Sequence, residues 1–138
     1  MNFAGVSYVA ILVAGIAGFV FGSAWYGVLG KSWLAALGKT RDQLKGGLSM
    51  PVLMGLTFAA QLVMAWVLAG VIGHLGVGQV TVVNGLFSAL FLWAGLVATT
   101  LLVNHRFQGA TWSLTLIDGG HWLGVLVVQG LVIGLMGV

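Results

Sequence analysis

Four long apolar runs leave this chain few folds to choose from. They cover about residues 5–30, 51–73, 80–103 and 112–136, and only the last contains a charge, Asp118. Each run is about 20 to 25 residues, the length a helix needs to cross about 30 Å of hydrocarbon. Strand-like alternation is absent from them, which disfavours a membrane barrel. No repeat with a period of roughly 20 to 50 residues is visible. Only 5% of the residues are charged and 60% are hydrophobic, against about 25% charged in an ordinary soluble domain. Such a chain cannot cover a water-facing surface with polar groups. The expected fold class is therefore an all-α integral membrane protein. Its four transmembrane helices form one antiparallel bundle over residues 1–138, with a short cytoplasmic surface helix between the first two.

The connections set the expected orientation. All five Lys and Arg residues lie in the first and third of them: Lys31, Lys39, Arg41 and Lys45, then Arg106. With four spans those connections share one side, and the excess of cations places that side in the cytoplasm. Both termini and the turn from His74 to Gln79 then lie on the outer side of the cytoplasmic membrane. Met1-Asn2-Phe3 has no basic n-region, so the first run reads as a retained span and not a signal peptide. The net charge of +3 forms no basic stripe, so nucleic acid is not an expected partner. Membrane lipids are, together with further copies of the chain or a larger membrane complex. The chain has no cysteine, which excludes disulfides, thiolate metal sites and Cys nucleophiles.

Local signals refine this picture. Ala14, Gly18 and Gly22 recur every four residues, lining one face of the first span with small side chains suited to close helix packing. Trp25, Lys31 and Trp33 at the end of that span, with Arg106 after the third, read as interfacial or lipid-facing anchors. Thr40-Arg41-Asp42-Gln43 fits a capping box and predicts the surface helix, ended near Gly46-Gly47. Ser49 and Pro51 suit the start of the second span. His105, beside Arg106 at an interface, reads as a solvated histidine. Gly120 and Gly124, then Gly130 and Gly134, repeat every four residues in the last span and motivate the expectation of self-association.

The chemistry concentrates in the last span. Asp118 and His121 are three residues apart and share a helical face. Ionisable groups at membrane depth are costly and usually face protein or water. Asp118 lies about 9 Å and His121 about 13 Å from the start of the span. Gln129 is rotated about 20° from Asp118 and His121 about 60° to one side. Tyr26 and Ser23 lie in the same third of the membrane on the first span, and Gln61 lies mid-membrane in the second. The candidate binding or proton site is thus Asp118, His121, Tyr26, Gln61, Ser23 and Gln129. One reading makes it a proton- or ion-linked site for binding or permeation of a small solute. A second makes the pair a structural hydrogen-bond network, and the chain a non-catalytic accessory or scaffold subunit. A third, metal or haem on the imidazoles, is weaker. His74 is expected outside and His105 at the inner surface, and two ligands fall short of a zinc site. No metal or cofactor is expected. No Gly-x-Ser-x-Gly, His-Glu-x-x-His or Walker pattern occurs, so no catalytic residue is assigned.

Gly22-Ser23-Ala24-Trp25-Tyr26-Gly27-Val28-Leu29-Gly30-Lys31-Ser32-Trp33, after Asn2 and an apolar start, resembles the domain-of-unknown-function 1761 family. Asp118-Gly119 and the apolar run through Gly130 are similar to that family's tail. Family members often have a proline and a phenylalanine shortly after the tyrosine, where this chain has Gly27-Val28-Leu29. The resemblance covers nearly the whole chain. It implies a small bacterial multi-span membrane protein and no particular activity.

Overall fold

The computed structural model describes residues 1–44 and 46–137. Lys45, one of the cations of the first connection, and Val138 lie outside them. Four helices are long and apolar enough to cross a membrane: Tyr8–Leu37, Met50–Gly73, Val82–Phe107 and Trp112–Met136. They are called here the first to fourth helices. Large apolar side chains turn outward along them, among them Val28, Phe91, Leu116 and Leu135, each more than 70% exposed. An apolar exterior of this kind fits lipid.

The first helix begins later and ends later than the apolar run. Before it, Asn2–Phe3 pairs with Val6–Ser7 in a two-stranded hairpin. The turn places Ala4 at φ 51° and Gly5 at φ 82°, the doubly positive backbone of a tight two-residue hairpin loop. Ser7 then caps the helix, its Oγ accepting the Ala10 N–H at 3.1 Å. The helix runs 30 residues to Leu37, about 45 Å long, so Lys31 and Trp33 lie within it and not beyond it. It stops at Gly38, whose φ of 68° lets Gly38 and Lys39 donate back to Ala35 and Leu34, a Schellman ending.

The expected surface helix is reduced to one 3-10 turn, Asp42–Leu44. Gln43 Oε1 does accept the Thr40 N–H at 2.9 Å, which is half of the capping box. One capped turn before Gly46-Gly47 is too short to propagate a helix. The third helix holds a feature that apolar patterning does not reveal: residues Trp93–Ala98 are wound as a π-helix. Thr111 caps the fourth helix, accepting the Leu114 N–H at 3.2 Å.

The fourth helix packs on all three others, most extensively on the first and third, and the first packs on the second. Glycines decide how closely. A Cβ on Gly85 would strike the main chain of Gly130, and one on Gly130 the main chain of Gly85, so the third and fourth helices touch backbone to backbone there. Gly134 meets Val82 and Thr81, Gly120 meets Trp25, and Gly124 meets Phe21. The four glycines that motivate self-association thus all face neighbours in their own chain. At the end where the chain begins, the hairpin closes the assembly. Phe3 lies over Gly70, the Ala4 main chain lies on Gly73, and Val6 is fully buried with Ala10, Leu68, Ile72 and Ile133. This is the hairpin end. The opposite, cationic end carries Lys39, Arg41 and Arg106.

Candidate functional site

The fourth helix brings Asp118 to the seam between the first and third helices, near the cationic end. Tyr26 of the first helix donates its O–H to Asp118 Oδ1 at 2.6 Å. From the third helix, His105 Nε2 stands 3.9 Å from Asp118 Oδ2. The two side chains are 11% and 20% exposed, so the carboxylate is sheltered without being sealed. Two indoles fix the helix on either side of it. Trp25 Nε1–H donates to the Ile117 carbonyl at 3.0 Å, and Trp93 Nε1–H to the Gly119 carbonyl at 2.8 Å. Trp93 opens the π-helical segment, a distortion often found where a helix must re-aim a functional side chain.

A second layer supports His105. Its Nδ1 lies 2.9 Å from Thr115 Oγ1, which also accepts from Arg106 Nη2 at 2.7 Å. Arg106 can only donate, so the threonine's own proton is left for His105 Nδ1 or for the Thr111 carbonyl at 3.4 Å. When the threonine hydroxyl donates to Nδ1, that nitrogen is the ring's acceptor, and the ring N–H is on Nε2, facing Asp118. The Arg106 guanidinium lies over the Trp112 ring at 3.8 Å. A recess of about 580 Å³ opens at this end, lined by Ser32, Ala35, Ala36, Thr111, Ser113, Leu116 and Ile117.

His121 lies one turn further in and is 5% exposed. Its ring sits 4.8 Å from Tyr26 and 4.4 Å from Trp122, centroid to centroid. It fits because the facing residue is Gly22, where a Cβ would stand 2.6 Å from His121 Nε2. Deeper again, Gln129 Nε2 donates to the Gln61 main-chain carbonyl at 3.0 Å and to Gln61 Oε1 at 3.2 Å. Both glutamines are fully buried and occupy the space over Gly18. The small-residue face of the first helix therefore receives polar side chains as well as a neighbouring helix.

Measured against the expected site, Asp118, Tyr26 and His121 cluster, and Gln61 and Gln129 pair further along the same seam. Ser23 does not join: its hydroxyl donates to Phe19 O within its own helix at 2.9 Å. Asp118 makes no hydrogen bond to His121 among the described residues. Its partners are Tyr26 and His105, because His121 turns toward Gly22. His105, whose sequence position reads as solvated, is 8% exposed as a residue and belongs to the site. Its position beside Arg106 suggested an interface, but burial depends on the fourth helix crossing there, which adjacency in sequence does not report. Trp25, expected as an interfacial or lipid-facing anchor, is half-buried, bonded to the fourth helix and seated on Gly120. Trp33 packs edge-on against Tyr26 at 5.6 Å. Arg106 is held by Thr115, Thr111 and Trp112, whereas Lys31 is exposed. Among the described residues no group of three or more His, Asp or Glu side chains is placed to hold a metal ion.

The sequence pattern of the family described as "Protein of unknown function (DUF1761)" matches residues 9–134. No curated protein and no solved structure matches the chain.

Proposed function

We propose, for a chain that belongs to the DUF1761 family, a proton-linked role in binding or moving a small solute at the membrane. In this reading the four helices form an antiparallel transmembrane bundle, with the cationic end in the cytoplasm and both termini outside. Asp118 is the group that gains and loses the proton, and His105 passes it to and from the cytoplasmic surface. The observation that carries the reading is the carboxylate of Asp118 held between the Tyr26 hydroxyl at 2.6 Å and the His105 imidazole at 3.9 Å. A hydroxyl donor stabilises the charged carboxylate, and an imidazole within reach offers a second titratable group with which to share a proton. Thr115, itself held by Arg106, fixes the outer face of that imidazole, as a relay residue requires.

The test compares the protein with Asp118→Asn, which keeps the shape and cannot titrate. In detergent, the infrared carboxyl band of a protonated aspartic acid should appear on acidification in the parent and be absent in the variant, while both melt cooperatively. In liposomes, pH-driven proton uptake should be lost in Asp118→Asn. Equal proton uptake by the two proteins ends the reading.

A further inference from the structure

Among the described residues, four buried side-chain nitrogen or oxygen atoms have no protein partner: Arg106 Nε, His121 Nδ1, Gln61 Nε2 and Gln129 Oε1. They are not scattered. Arg106 stands at the cationic end beside the first turn of the fourth helix. His121 follows one turn inside Asp118, and the two glutamines lie deeper on the same seam. The glutamine assignments follow from the backbone. The Gln61 main-chain carbonyl can only accept, so it must face the Gln129 amide nitrogen at 3.0 Å. That nitrogen in turn requires Gln61 Oε1 at 3.2 Å. The remaining donor, Gln61 Nε2, and the remaining acceptor, Gln129 Oε1, are then left over. Buried amides and imidazoles are normally satisfied by protein or by ordered water.

The spacing suits water. His121 Nε2 lies against Gly22, while Gln61 Oε1 and Gln129 Nε2 lie against Gly18. Gly18 and Gly22 are one helical turn apart, about 6 Å, with Val125 packed beside Gly18 between them, a separation that one or two waters at hydrogen-bond spacing of about 2.8 Å would span. Among the described residues the buried side chains beyond the glutamines are apolar. Val6, Ala10, Leu68, Ile72 and Ile133 are all fully buried and apolar, and the hairpin packs over them. Such a region offers water no partner.

We propose that a file of water enters the seam from the cationic end, passes Asp118 and His121, and ends blindly at the Gln61–Gln129 pair. The protein is then a one-sided vestibule closed by an apolar plug. The proposal deepens the polar site described above but does not depend on proton exchange at Asp118.

The chain has no cysteine, so single-cysteine variants report accessibility without background. The variants are Ser113→Cys at the exposed cationic mouth, Gln129→Cys at the blind end and Ile133→Cys in the plug. Gln61→Cys covers the same depth as Gln129→Cys from the second helix, should that variant fail to fold. Each is placed in sealed vesicles and exposed to silver ion on one side. Occupied thiols are then counted by their loss of maleimide labelling after unfolding. Gln129→Cys should react from the same side as Ser113→Cys, at least about 10-fold faster than Ile133→Cys, because only a thiolate in contact with water reacts readily. A silent thiol at both 129 and 61, reaction only from the side opposite Ser113→Cys, or equal reaction at 133 overturns the proposal. The readout contains no proton, so it stands apart from the Asp118→Asn experiment: either can fail while the other holds.

Discussion

At the hairpin end, apolar side chains and bare backbone make the contacts: Val6, Ala10, Leu68, Ile72 and Ile133 exclude solvent completely, and Gly85 and Gly130 bring two helices together main chain to main chain. At the cationic end the same helices are joined by hydrogen bonds. Two indoles hold the carbonyls on either side of Asp118, a tyrosine holds its carboxylate, and a histidine, a threonine and an arginine form a chain behind it. The first kind of contact tolerates no added volume. The second tolerates partial exposure and leaves groups that can change protonation. In lipid, helices gain little from burying apolar surface against one another, so close packing and polar contacts carry association. Here the two are segregated along the helix axes, and the proposed proton site lies in the hydrogen-bonded half.

The comparison breaks first, if it breaks, at Gly130→Leu. The added side chain meets rigid backbone and has no flexible neighbour to displace, so a loss of about 3 kcal/mol is expected, the upper part of the range for overpacking. Thermal unfolding in detergent or steric trapping in bicelles measures it. A near-parental melting temperature would mean that the two backbones are not in contact.

Tyr26→Phe removes one hydroxyl from the polar half and keeps the ring against His121 and Trp33. Membrane hydrogen bonds average about 0.6 kcal/mol and reach about 1.7 kcal/mol, and a carboxylate acceptor puts this one at the upper end. The variant should lose about 1.5 kcal/mol of stability and shift the Asp118 infrared carboxyl band. An unmoved band would separate Tyr26 from the site.

Trp93→Phe tests the indole bond to Gly119. A loss of about 0.6 kcal/mol, the average for such bonds, is expected. Hydrogen exchange should quicken near residues 117–121 while protection around Gly130 is unchanged. Loosening at both places would show that the halves are coupled more tightly than their contacts suggest.

The smallest effect is expected from the double change Gln61→Met with Gln129→Met. Replacing both partners of a buried hydrogen bond by apolar groups of similar shape is close to neutral, so stability should change by less than about 0.5 kcal/mol. Gln129→Met alone, which strands Gln61 Oε1, should be worse than the double variant. Purified protein melted side by side decides the order, and a single variant milder than the double would argue against the amide pairing.

Several features could be read directly from residues. The four long apolar helices follow from apolar length, because a helix able to cross a membrane must reach a fixed thickness with its backbone bonded internally. The approach of Asp118, Tyr26 and His121 could be anticipated from matching depth, since rise per residue is constant. The Gln61–Gln129 contact was foreseeable only as two polar residues in need of partners. Other features rest on contacts between segments distant in sequence. The hairpin before Tyr8 gains its stability from Phe3 and Val6 docking on the second helix, which no local pattern of six residues announces. His105 enters the site because the fourth helix crosses the third near its end and brings Thr115 to its ring. The π-helical turn aims Trp93 at Gly119, 26 residues away. Periodicity and hydropathy determine which segments are helices and how deep each residue sits along them. Rotation of each helix about its axis is decided by what fits the gaps left at Gly18, Gly22, Gly85 and Gly130, because side-chain volume is settled only when two surfaces meet.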